Sequence, residues 1–165
     1  MAQSKTYKIF PFYSRLFDSC MDLFGRDEFT EPLIKSFFDF RNIETYPRYT
    51  RTSLFEEMIK NLKDKLSEGE RVESKRVDEL TEIYVANNNN EFEIIRDIFN
   101  VRIHDNLKNM VYNLSQDKET IGFVVETAIA LFVKECDDKA YQVIKFSFEQ
   151  HLINPSNFPK KQEIK

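Results

Sequence analysis

The chain has 165 residues and a mass of 19.7 kDa, enough for one domain or for one domain with a helical extension. Its 41% hydrophobic and 32% charged residues exclude wholesale disorder, and 3 glycines with 5 prolines are too few for the many turns of a β-sandwich, barrel or propeller. The net charge of −4 removes the simplest sign of a nucleic-acid-binding domain, an overall basic excess, but still allows a local basic patch. We therefore expect a mainly α-helical protein.

Membrane and secreted classes are not indicated. No run approaches the roughly 20 apolar residues of a membrane-spanning helix, and the first fifteen residues contain no apolar stretch of signal-peptide length. Two cysteines, Cys20 and Cys136, are too few for a disulfide framework, so we expect reduced thiols in a cytoplasmic protein.

Apolar residues at helical spacing predict four helices in the N-terminal half. Pro11 and Gly25 bracket the first, and Ser53 with Glu56 forms a capping-box pattern before the third. Residues 42–52 are predicted to be a loop or a short extended stretch. The predicted helices are 12–24, 31–41, 54–67 and 71–86.

The clearest break in the chain is the run of four asparagines at 87–90, which favours neither helix nor strand. It predicts a linker between two units. The first, 1–86, is rich in phenylalanine and is expected to serve in oligomerisation or partner binding. The second spans 91–153, and a flexible tail is expected at 154–165.

The C-terminal half begins with a predicted strand. Apolar and polar residues alternate over 99–103, the period of a half-exposed strand. Helices are predicted at 105–116, 123–135 and 138–152, and a tight connection is predicted at 118–122.

Common catalytic and cofactor motifs are absent from the sequence. His104 and His151 are far apart and have no cysteine or carboxylate at metal-ligand spacing. The three glycines stand alone, so no phosphate-binding loop is formed, and neither cysteine lies in a nucleophile signature. We therefore expect no enzyme activity, no cofactor and no metal site.

The order of strand, helix, tight turn and apolar helix over residues 98–134 resembles the ribbon-helix-helix family of DNA-binding proteins, to which the Arc repressor belongs. Members pair one such strand from each of two chains into an antiparallel ribbon that enters the DNA major groove. The resemblance implies a homodimer whose partner is double-stranded DNA. It also implies a transcriptional regulator such as a repressor, or an accessory factor acting at plasmid or phage DNA sites.

The strand and the turn supply the site residues that the resemblance implies. Ile98, Asn100 and Arg102 lie on one side of the strand and are expected to contact base edges, because Arg suits guanine and Asn suits adenine. The other side is apolar and suits the core. The turn at 120–122, formed by Thr120, Ile121 and Gly122, is expected to contact phosphate through backbone N–H groups.

The second helix of the resemblance has apolar positions that match the dimer-forming helix of the family. These positions are Val125, Ala128, Ile129 and Phe132.

A weak internal repeat gives a possible second unit. Residues 56–62 align with 108–114, which would place 48–52 where the strand stands. Arg48 and Arg51 are then expected to contact phosphate. The alternative is a solvated helix face with ion pairs four residues apart, such as Glu56 with Lys60.

Two alternatives remain open for the C-terminal segment and for the protein. The segment can also be read as an ordinary strand–helix–helix element of a helical domain. The protein can also be a helical module that binds no DNA, either an interaction protein or a sensor whose phenylalanines line a pocket for a small apolar ligand. Under the ribbon interpretation the strand needs a partner, which is expected to be its copy in a second chain or residues 48–52.

Overall fold

The computed structural model describes residues 2–25, 46–66, 73–88, 95–115 and 121–153, which form six helices and one two-stranded sheet. The mainly helical class is therefore confirmed. The predicted helix at 31–41, Thr120 and the tail at 154–165 lie outside the described residues. The elements are β1 (Gln3–Ile9), α1 (Pro11–Phe24), α2 (Arg51–Leu66), α3 (Lys75–Ala86), β2 (Asp97–Ile103), α4 (Asp105–Leu114), α5 (Ile121–Glu135) and α6 (Asp138–Ile153).

The sequence prediction missed strand β1 at the start of the chain. Its burial alternates, with Tyr7 and Ile9 in the core and Thr6 and Lys8 in solvent. This is the same period of two that predicted β2, and Pro11 ends it by starting α1.

The partner predicted for the second strand was wrong. β2 pairs antiparallel with β1 of the same chain over seven residues, from Gln3 opposite Ile103 to Ile9 opposite Asp97. The ribbon is therefore complete within one chain. A homodimer remains a prediction, but the unpaired strand that motivated it does not exist.

Residues 48–52 do not form a strand, so a second ribbon unit is wrong at this position. Thr50 caps α2, which starts three residues earlier than predicted. The Thr50 side chain accepts the Ser53 N–H at 3.1 Å, and the Ser53 side chain accepts the Thr50 N–H at 2.8 Å. This reciprocal capping box fixes the helix start.

Other helix ends differ from the prediction by a few residues. α3 begins at Lys75 because Ser74 caps it, its side chain accepting the Val77 N–H at 3.2 Å. α4 ends at Leu114. α5 begins at Ile121, so Gly122 lies in its first turn.

Helix α5 is the centre of the molecule and contacts β1 and helices α1 to α4. A helix surrounded in this way must be apolar on nearly all sides. Val125, Ala128 and Ile129, which match the dimer-forming positions of the resemblance, are buried within this chain. Phe132 packs edge-to-face on Phe24. The first three are therefore not available to a second chain, and Phe132 is half-buried.

One hydrophobic core joins elements from both sides of the asparagine run. The rings of Phe12 and Phe148 meet edge-to-face at 5.6 Å, where α1 packs on α6. Asp22 of α1 accepts a hydrogen bond from Ser147 and lies 2.7 Å from the Nε2 atom of His151, both on α6. The expected boundary at 87–90 therefore does not divide the core.

Two smaller expectations agree with the structure. Cys20 and Cys136 are free thiols, and burial raises the pKa of both. Glu56 and Lys60 form the predicted ion pair, with the ammonium nitrogen 2.9 Å from the carboxylate.

Candidate nucleic-acid interface

The outer face of the β1–β2 ribbon is exposed and polar. The burial patterns of both strands alternate in step, so every second residue of each strand points to solvent. Ile98, Asn100 and Arg102 all lie on this face, as the sequence predicted. The face consists of Ser4, Thr6, Lys8, Ile98, Asn100 and Arg102.

The register sets neighbours across this outer face. Ser4 is opposite Arg102, Thr6 is opposite Asn100, and Lys8 is opposite Ile98. The Thr6 hydroxyl donates a hydrogen bond to the Asn100 Oδ1 atom at 2.7 Å. Within the described residues, the charged ends of Lys8 and Arg102 have no hydrogen-bond or ion-pair partner. The ribbon therefore offers two cations and an amide to a ligand.

The inner face of the ribbon anchors it to the core. Phe99, Val101 and Ile103 are each about 2% exposed. The Phe99 ring packs edge-to-face against Phe17 of α1, with ring centres 5.1 Å apart, and in a tilted arrangement against Phe55 of α2 at 5.9 Å. The position and tilt of the outer face are consequently set by packing beneath it.

Helix α2 covers the backbone edge of β2 that faces away from β1. The Arg51 guanidinium donates two hydrogen bonds to the Asn100 carbonyl oxygen, each 3.1 Å long, and the Thr52 hydroxyl donates to the Arg102 carbonyl oxygen at 2.7 Å. Such contacts block an exposed strand edge from pairing with other chains.

Arg51 and Arg48 occupy different environments. The Arg51 guanidinium also bonds to Asp18 and lies over the rings of Phe17 and Phe99 at 4.9 and 4.7 Å. Arg51 thus fixes α2 to the ribbon. Arg48 is exposed two residues before the Thr50 cap. Their expected phosphate contacts remain predictions.

The start of α5 lies against the other strand of the ribbon. A Cβ atom at Gly122 would collide with the Lys8 carbonyl oxygen, so only glycine allows this approach of helix to strand. Ile121 is half-buried, and Phe123 is 60% exposed. The N-terminal ends of α2 and α5 therefore flank the ribbon, one beside β2 and one beside β1.

An ion pair between a buried carboxylate and a partly exposed guanidinium holds the end of the ribbon and was not found from the sequence. Arg96, just before β2, binds Glu126 of α5 through two hydrogen bonds of 3.2 and 3.1 Å. The same carboxylate accepts the Phe10 N–H at 2.8 Å, and the Arg96 guanidinium lies 4.4 Å from the centre of the Phe10 ring. The available signal was a single acidic residue in the apolar run 121–133. We call Arg96, Glu126 and Phe10 the ribbon clamp.

The phenylalanine-lined pocket expected under the alternative function has no counterpart in the packing of the described rings. Phe12, Phe17, Phe55, Phe99 and Phe148 are fully buried and pack against other rings. A surface groove of about 380 Å³ lies between α2 and α4 instead. Its lining contains no phenylalanine and consists of Lys63, Asn106, Asn109, Met110, Asn113 and Leu114.

Within the described residues, no helix combines the length and the apolarity needed to cross a membrane. Comparison with known proteins found no matching family model, no similar curated protein and no similar solved structure.

Proposed function

We propose that this chain binds double-stranded DNA sequence-specifically through the outer face of the β1–β2 ribbon. The observation that carries the proposal is the exposed polar face itself, with Lys8 and Arg102 unpaired within the described residues and Asn100 between them. The major groove of B-DNA admits a two-stranded ribbon. In this proposal Asn100, Arg102 and Ile98 contact base edges, as they would in a ribbon-helix-helix protein.

The flanks of the ribbon support the same proposal. The N-termini of α2 and α5 carry partial positive charge from the helix dipole, and helix N-termini bind phosphate through free N–H groups. The proposed phosphate contacts are Ile121 and Gly122 at the start of α5, with Arg48 and Arg51 at the start of α2. A local site of this kind is compatible with the net charge of −4, because it needs only a few positive groups close together, here Lys8 and Arg102 on the ribbon.

The binding unit that we propose is one chain, because one chain completes the ribbon. The biological role implied by this activity is that of a transcriptional regulator, or of an accessory factor at plasmid or phage sites.

The test compares two variants that each remove one exposed positive charge. Arg102→Ala changes the ribbon, and Lys139→Ala changes α6, which packs on α1 and α3 away from it. Binding is measured by fluorescence anisotropy with a 30-base-pair duplex that has a randomised centre, and again with the sequence enriched from that pool. The wild type should lose affinity steeply as salt rises.

Arg102→Ala should weaken binding to the enriched sequence about 5- to 150-fold. Lys139→Ala should have little effect, and both variants should keep the wild-type melting temperature because both side chains are exposed. No binding by the wild type at low salt, or equal losses in the two variants, would refute the proposal.

A further inference from the structure

The hydrogen bond between Thr6 and Asn100 limits what the ribbon can recognise. Because the Thr6 hydroxyl donates to Oδ1, the carbonyl end of the Asn100 amide is held against β1. The Nδ2 group, which carries two N–H donors, is left for a ligand. An asparagine that binds adenine must also present its carbonyl oxygen to the base. The oxygen accepts a hydrogen bond from the adenine amino group while the Nδ2 group donates one to N7.

The side chains beside Asn100 also present hydrogen-bond donors. Arg102, two residues along β2, carries five N–H donors and no acceptor, and Lys8 on β1 carries three donors and no acceptor. With Asn100 oriented by Thr6, all three groups present donors outward. Guanine is the base that places two acceptors, N7 and O6, side by side in the major groove, whereas adenine places an amino donor beside its N7.

We infer that the ribbon selects guanines, and that Thr6 is a specificity-determining residue because it turns the Asn100 carbonyl toward β1 and so disfavours the two-bond contact with adenine. This inference rests on the proposed DNA-binding function. Asn100 and Arg102 are two residues apart on one strand, a separation of about 6.8 Å. That distance equals about two steps of 3.4 Å along a DNA strand. The expected motif thus has guanines at positions about two steps apart.

The experiment uses the full chain and a pool of duplexes with twelve randomised base pairs between fixed flanks. Bound duplexes are recovered through several rounds and sequenced for the wild type and for three variants. Thr6→Val removes the hydroxyl but keeps a β-branched side chain of similar size in the strand. Thr6→Ser keeps the hydroxyl and is the matched control. Asn100→Ala removes the side chain proposed to contact the base.

The wild type and Thr6→Ser should enrich guanine at both positions, with about tenfold discrimination against adenine at each. Thr6→Val should shift the Asn100 position toward adenine and leave the second guanine unchanged. Asn100→Ala should lose selection at that position alone. Far-ultraviolet circular dichroism of each variant checks that the fold is kept.

The outcomes separate this inference from the function on which it rests. If the wild type binds DNA but enriches no guanine, or if Thr6→Val keeps the wild-type motif, the guanine inference is wrong while DNA binding stands. If the wild type recovers no duplex at any salt concentration, the proposed function and this inference both fail.

Discussion

The ribbon clamp predicts a specific pattern of stability among three variants. The Glu126 side chain is 4% exposed, and the Arg96 side chain is 38% exposed. Arg96→Met keeps most of the side-chain volume over the Phe10 ring but leaves a buried carboxylate without its cation. Removing one partner of a buried pair costs about 3–5 kcal/mol. Since only the carboxylate end of this pair is buried and the Phe10 N–H remains bonded to Glu126, we expect no more than the lower end, about 3 kcal/mol.

Glu126→Gln tests the other half of the clamp. The glutamine carbonyl can still accept the Phe10 N–H, and Arg96 is exposed enough to turn toward water. We expect a cost of about 1 kcal/mol from the weaker hydrogen bonds. The double variant, Arg96→Met with Glu126→Gln, buries no charge and should cost about 1–2 kcal/mol, less than Arg96→Met alone.

Urea unfolding followed by circular dichroism at 222 nm measures these differences, since the chain has no tryptophan to serve as a fluorescent probe. Equal slopes against urea would show that the variants differ in stability and not in the extent of unfolding. A double variant that is as unstable as Arg96→Met would refute the reasoning, because the cost would then not arise from an uncompensated buried charge.

Three further variants probe the elements around the ribbon, each by urea unfolding. Tyr7→Phe should stabilise the chain by about 1 kcal/mol, because the buried Tyr7 hydroxyl has no hydrogen-bond partner among the described residues, and burial raises its pKa to about 12. A loss of stability would show that the hydroxyl is satisfied. Gly122→Ala should destabilise by about 1–3 kcal/mol, although alanine favours helices, because the new Cβ atom collides with the Lys8 carbonyl oxygen. Glu79→Gln should lower stability at pH 7, and the difference from the wild type should shrink as the pH falls below the lowered pKa of Glu79. The hydrogen bond from Lys145 lowers the pKa of Glu79 from 4.5. The stabilisation from the Glu79 carboxylate is therefore complete above pH 4.5 and is lost as the pH falls through the lowered pKa. A stability difference between the two proteins that persists at low pH would contradict this assignment.

Strand β2 was predictable because its pattern is local. Phe99, Val101 and Ile103 alternate with polar residues, and this alternation alone assigns Asn100 and Arg102 to the outer face. The choice of solvent-facing residues on β2 follows from the same period and needed no knowledge of the partner strand.

The partner of β2 was not predictable from such a pattern. Thr6 and Asn100 are neighbours in space but 94 residues apart in the chain. Any strand with one apolar face offers the same backbone groups for pairing, so a local period does not distinguish β1 from a copy in a second chain. The alternation of Tyr7 and Ile9 with polar residues was present, but it covers only the last part of β1 before Pro11.

The side-chain contacts that hold the ribbon in place could not be predicted from the sequence either. Arg51 is basic, and the sequence indicated only the phosphate contact that stays a prediction. It did not indicate that the guanidinium also binds the Asn100 carbonyl oxygen and lies over two aromatic rings. Glu126 carried a signal, since a carboxylate in an apolar helix needs a buried partner. The sequence did not indicate that Arg96 would be that partner, because the two residues lie on different elements.

Closing the ribbon within one chain changes the kind of DNA site that it would recognise. A ribbon made from two copies of one strand is symmetric and matches a palindromic site. Here the outer residues are Ser4, Thr6 and Lys8 on β1, but Ile98, Asn100 and Arg102 on β2. The two strands present unlike side chains, so one ribbon of this protein would recognise an asymmetric sequence. If the proposed function is correct, a palindromic motif enriched from random DNA would therefore require two ribbons, and thus two chains, on one duplex.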